Sequence, residues 1–117
     1  MYNSSTIIKQ PFIKDRPNMT LNEILQTLKS IKPEYQPEGV DILGVFGSYA
    51  RNEADKDSDI DILIETNNIF IAKHPDGFSG FTRLSELRRE LEETFKTKVD
   101  LVETFNYLIG LYVERVQ

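Results

Sequence analysis

The chain has 117 residues, 39% hydrophobic and 28% charged, the composition of one globular domain able to bury about two-thirds of its unfolded surface. Its 14 Lys and Arg against 19 Asp and Glu leave a net charge of −5, which argues against the basic face that DNA or RNA as a main partner requires. The absence of cysteine excludes disulfides, zinc–thiolate sites and a Cys nucleophile. With no signal peptide and no apolar run of membrane-spanning length, the expected setting is the cytoplasm, away from membranes.

Residues 1–18 read as an N-terminal extension to a domain at 19–117. Ser4, Ser5, Pro11 and Pro17 oppose a long helix, whereas Ile7, Ile8, Phe12 and Ile13 are too apolar for a plain disordered arm. An extended segment docked on the body, a tail and a partner-binding arm all fit. Thr20 and Glu23 then form a capping box ahead of Leu21, Ile24, Leu25, Leu28 and Ile31 at helical spacing. That predicts a helix over 20–32, stopping before Pro33. Pro33, Pro37 and Gly39 make the loop into a strand near 40–46.

From Gly44 to Ile64 the chain reads as an apolar strand, a Gly47-Ser48 turn into a short helix, an acidic loop, and a strand near 59–65. Alternation puts Asp59, Asp61 and Leu63 on one face and Ile60, Ile62 and Ile64 on the other, buried one. Two carboxylates so close repel unless a cation lies between them. A hard divalent ion with oxygen ligands, Mg²⁺ or Mn²⁺, suits them. Gly47 allows close backbone approach, and Ser48 at a helix N-cap would offer a hydroxyl beside free N–H groups, a cradle for phosphate. Phosphate and metal on neighbouring strands imply a metal–nucleotide complex. Other motifs fail: Gly39 and Gly44 lead into Val45-Phe46 rather than Lys-Ser/Thr, no G-x-G-x-x-G occurs, and an EF-hand from Asp55 would need Gly and Glu where Ile60 and Thr66 stand.

Thr66 to Gly80 is expected to be a loop, with His74 incidental and Gly77, Phe78 and Gly80 supplying the mobility of a lid or acceptor contact. A helix near 81–96 puts Leu84, Leu87, Leu91 and Phe95 on one face, and its mixed Arg, Lys and Glu residues read as a solvated surface. In the third strand Asp100 interrupts an apolar Val99, Leu101, Val102 run. Beside Asp59 and Asp61 it reads as a third metal-directed carboxylate. Asn106 to Gln117 is predicted to be a helix packing Leu108, Leu111, Tyr112 and the stem of Arg115.

Gly47-Ser48, ten residues, then Asp59-Ile60-Asp61 resembles the G-S-x10-D-x-D signature of the DNA polymerase β-like nucleotidyltransferases. With Tyr49-Ala50-Arg51 and the downstream Val99-Asp100-Leu101-Val102, residues 20–105 are similar to the minimal nucleotidyltransferases, antitoxin partners of HEPN-domain toxins. The resemblance implies an α/β fold, a small mixed sheet flanked by helices. It also implies a two-metal reaction in which AMP from ATP passes to a tyrosine of a HEPN toxin encoded by an adjacent gene. On that reading Asp59, Asp61 and Asp100 hold Mg²⁺ or Mn²⁺, Gly47 and Ser48 bind the terminal phosphates, and Asp100 orients or deprotonates the attacking hydroxyl. Arg51 would reach the triphosphate; its alternative is an ion pair with Glu53 or Asp55. So short a chain leaves too little for a separate acceptor-binding domain, so another macromolecule should supply the acceptor. An antitoxin acting by binding alone and a small-molecule, antibiotic-type nucleotidyltransferase are the competing functions.

Overall fold

The computed structural model describes residues 19–104 and 111–117. The N-terminal extension and Asn106 and Leu108 of the expected last helix lie outside them. The first element, α1 (Leu21–Tyr35), opens on the expected capping box: Thr20 Oγ1 accepts from Glu23 N at 3.1 Å and Glu23 Oε1 accepts from Thr20 N at 2.8 Å. It continues through Pro33 for one more turn instead of ending before it. Tyr35 is buried and its hydroxyl donates to Glu90 Oε1 at 2.7 Å, so tertiary packing holds the turn that proline weakens. A 3₁₀ turn, Gln36–Glu38, leads into β1 (Val40–Phe46).

A four-residue helix, α2 (Gly47–Ala50), follows β1 directly, and β2 spans Ile60–Thr66. The expected long loop holds a further helix, α3 (Asn68–Lys73), capped by the Asn67 side chain accepting from Ile69 N at 2.9 Å. The next helix, α4 (Phe78–Phe95), begins three residues early, so Phe78 and Gly80 belong to it. Gly80 is buried against the Phe70 ring, and the lid expected from these glycines is packed helix instead. Strand β3 spans Val99–Glu103. The expected C-terminal helix is absent from 111–117, where Glu114–Arg115 form a short strand, β4. Gly44 explains that pairing. A side chain there would fall against Glu114 O and lie 2.7 Å from Val113 Cγ1, so only glycine lets the last segment close on β1.

The sheet order is β3-β2-β1-β4, with β1 antiparallel to both neighbours and β2 parallel to β3. This is the expected small mixed sheet. Ile24 and Leu28 of α1 and Leu87, Leu91 and Phe95 of α4 share one core with Val40, Ile42, Val45, Ile60, Ile62, Ile64 and Val99. Leu63 is also buried yet lies outside that core, on the Asp61 face, so β2 is covered on both sides there. Register shifts between Ile42 and Gly44, where Leu43 bulges. The bulge reverses alternation: Val45 turns inward opposite Ile62, and Phe46 falls opposite Asp61.

Arg83, expected to be solvated, is only 21% exposed. Its Nε and Nη2 donate to the two carboxylate oxygens of Glu38 at 2.6 and 2.8 Å, and Nη1 donates to Glu90 at 3.0 Å. This cluster pins the 3₁₀ turn and the end of α1 to α4.

Candidate active site

The site lies where β1 ends and β2 and β3 begin. Parallel register sets Asp61 beside Asp100, and antiparallel register sets Asp61 beside Phe46, the residue before Gly47. Asp61 therefore has a carboxylate neighbour on one side and the start of the Gly-Ser turn on the other. Gly47 has φ +73°. A Cβ on it would clash with Oδ2 of Asp61 and come within 2.9 Å of its Cγ. The absence of a side chain at 47 is thus what admits the Asp61 carboxylate.

Asp59 precedes β2 and is exposed, as is Asp100, whereas Asp61 is partly covered. Burial pushes the Asp61 carboxyl above its ordinary range, the charge of Asp100 and then of Asp59 pushes it further, and Arg51 offsets part of this. Ser48 is the second residue of α2 rather than its N-cap, which is Phe46 without a side-chain bond. The backbone bonds Arg51 N to Gly47 O, 3.2 Å, and Glu53 N to Ser48 O, 2.8 Å, close the turn. Arg51 takes the ion pair named as its alternative, Nε to Glu53 Oε1 at 3.1 Å, with both side chains more than half exposed. His74 lies beyond the far end of β2, its Nδ1 2.9 Å from Ser79 Oγ and its ring 4.5 Å from that of Phe70. It joins α3 to α4, in keeping with a residue outside the chemistry.

Sequence reasoning passed over Asp55 and Ser58, which shape the acidic loop. Ser58 Oγ accepts from Asp55 N at 2.9 Å and lies 3.2 Å from Asp55 Oδ1, which also accepts from Asp57 N at 2.9 Å. Ser58 N closes on Asp55 O at 3.1 Å. An Asp three residues before a Ser is the composition of such a turn, so the signal was there. This turn delivers the chain to Asp59.

Asp59, Asp61 and Asp100 offer only carboxylate oxygens, and the accumulated negative charge that opposes ionisation of Asp61 is what a hard divalent cation relieves. The donor chemistry fits Mg²⁺ or Mn²⁺. As placed, no three His, Cys, Asp or Glu side chains among the described residues are grouped to hold a metal ion.

A family model described as a nucleotidyltransferase domain matches residues 21–116. The chain belongs to this family. Similar to it is the protein adenylyltransferase MntA of Thermococcus cleftensis, 39% identical over 85 residues, 72% of this chain and 77% of the relative. Two proteins of Methanocaldococcus jannaschii carry the name "putative protein adenylyltransferase". One is 36% identical over 82% of this chain and 89% of its own length, the other 38% over 84% and 91%. No solved structure matches the chain at a significant level. The nucleotidyltransferase assignment read from Gly47-Ser48 and Asp59-Ile60-Asp61 holds, and with it the polymerase β-like fold. No helix among the described residues is long and apolar enough to cross a membrane.

Proposed function

We propose that this nucleotidyltransferase moves AMP from ATP to a tyrosine of a HEPN-domain toxin, the product of an adjacent gene in the same cytoplasm, and so neutralises it. The observation that carries the reading is the register that aligns Phe46, Asp61 and Asp100 across three strands. It puts the start of the Gly-Ser turn, Asp61 and Asp100 at one end of the sheet, which supports the reading. The names of the relatives supply the reaction class.

Asp59, Asp61 and Asp100 would hold Mg²⁺ or Mn²⁺, which would supply neutralisation of phosphate charge and favour the ionised hydroxyl. Gly47 and Ser48 receive the terminal phosphates, and Arg51 turns from Glu53 towards the triphosphate. Asp100 orients the tyrosine hydroxyl and accepts its proton. The phenolic oxygen bonds to the α-phosphorus of ATP, the bond from that phosphorus to the bridging oxygen breaks, and pyrophosphate departs with the electron pair. The protein contributes positioning and charge neutralisation.

The test is intact mass of the adjacent gene's product after incubation with this protein, ATP and Mg²⁺, beside an Asp59→Asn/Asp61→Asn variant. A gain of one or more AMP units with wild type alone is expected. An unmodified product bound equally well by both proteins would establish neutralisation by binding, and AMP on an aminoglycoside instead of protein would establish the antibiotic-type activity.

A further inference from the structure

In a phosphate-binding turn, glycine is ordinarily explained by the close approach of ligand to backbone. Here another neighbour already occupies the space that a side chain would need. The Cβ position of Gly47 clashes with Oδ2 of Asp61, with Cγ at 2.9 Å and Cβ at 3.3 Å. The obstruction is a side chain two bonds from its own backbone, on a β2 residue paired with both Phe46 and Asp100. Turning the carboxylate aside would relieve the contact with Oδ2 but leave those with Cγ and Cβ. Phosphate binding by the backbone of residue 47 uses its N–H, which alanine keeps.

We infer that Gly47 is a positioning residue for Asp61: glycine is required at 47 because the Asp61 carboxylate lies where a side chain would be. The turn and the carboxylate are then one unit, fixed by a steric fit that exists without ligand. The fit concerns the folded chain itself, while its consequence for turnover rests on the transferase reading above.

The two are separated by a double-mutant cycle read by urea denaturation of the full chain without nucleotide or metal. Gly47→Ala lowers the midpoint in the wild-type background through overlap with Asp61 and through the left-handed backbone that alanine resists. In an Asp61→Ala background the clash with the carboxylate is gone, leaving the backbone cost and the milder 3.3 Å contact with the Cβ of residue 61, so the same substitution should lower the midpoint by less than half as much. If Gly47→Ala alone does not fold, the double variant should fold. Equal drops in both backgrounds, or a double variant as unfolded as the single, would overturn the inference.

Kinetics per folded molecule, with the folded fraction taken from the denaturation curves, supply a readout that general destabilisation does not move. With the partner protein as acceptor, Gly47→Ala should lower kcat at least 100-fold while KM for ATP changes less than threefold. A raised KM with kcat intact would assign the glycine to nucleotide approach and overturn the positioning role. A wild-type protein without transferase activity would remove the functional reading and leave the denaturation cycle standing.

Discussion

Asp61 is held against its own electrostatic interest. Burial first, then Asp100 and Asp59, oppose its ionisation, with Arg51 as partial compensation. Its folded pKa lies above its unfolded value, so protonation favours the folded state and ionisation penalises it. The penalty is absent below the ordinary value of 3.8; it grows as pH rises from there and is complete above the raised folded pKa. Asp61→Asn removes it, so the variant should be more stable than wild type at pH 7, and the difference should shrink to nothing as pH falls to the ordinary value of 3.8. Urea melts of both proteins across that range, with no divalent ion present, check this; a destabilised Asn variant at neutral pH would contradict it. Ser58 is a second test at this scale. Ser58→Ala deletes the hydroxyl that bonds Asp55 N, which should cost no more than about 1 kcal/mol of stability, yet lower transferase activity about tenfold by loosening Asp59. Ser58→Thr, which keeps the hydroxyl, should restore most of it.

Among the elements, α4 is fastened to the rest of the fold by Arg83. Its guanidinium holds the Glu38 carboxyl below the usual carboxylate range through paired hydrogen bonds. Burial alone would raise Glu90, but bonds from Tyr35 and Arg83 outweigh it and leave that carboxyl lowered too. Arg83→Ala should cost about 2 kcal/mol, since the cluster is only partly buried and the carboxylates of Glu38, Glu86 and Glu90 lose a partner. Lysine should not replace the paired geometry. The Glu38 and Glu90 carboxyls have folded values below 4.5, so the contribution is present above that value and lost as pH falls through the folded ones. Urea melts of wild type and Arg83→Ala should therefore differ at pH 7 and draw together as pH falls below 4.5. This cluster also marks where the sequence stopped being informative. The capping box at Thr20, the alternation around Ile60–Ile64 and the G-S-x10-D-x-D spacing are local, so α1, β2 and the core of the site could be read directly. Glu38 is 45 residues from Arg83, a contact no periodicity reveals. Pro33 reads as a stop because the packing that holds the buried Tyr35 beyond it comes from α4. The final strand was read as a helix because the bare Gly44 edge that receives it is 70 residues upstream. The helix Asn68–Lys73 had a local signal, the Asn67 cap, obscured by the glycines that follow.

At the scale of the whole molecule, a chain of net charge −5 gathers three further constraints at one sheet end: a partly buried carboxylate, two exposed ones beside it, and a glycine with no space to spare. A polyanionic nucleotide approaching that end alone meets like charge, with Arg51 paired to Glu53 and so partly neutralised. Nucleotide affinity should then depend on a divalent cation far more than in a site lined with lysines. Thermal melts put a size on this. ATP in EDTA should leave Tm within a degree of the free protein. ATP with Mg²⁺ at about 100 times its Kd should add roughly 2.7 kcal/mol, a rise of the order of 10 °C for a domain of this size. On the proposed function, Asp61→Asn should begin from a higher Tm and gain little from either addition, because the change that relieves the ligand-free protein would also remove a cation ligand. An equal rise with ATP in EDTA would mean that the phosphates are held by the chain without the carboxylates. The separation of stability from ligand response in a single variant would instead mark the sheet end as a place where folding energy has been given up for binding.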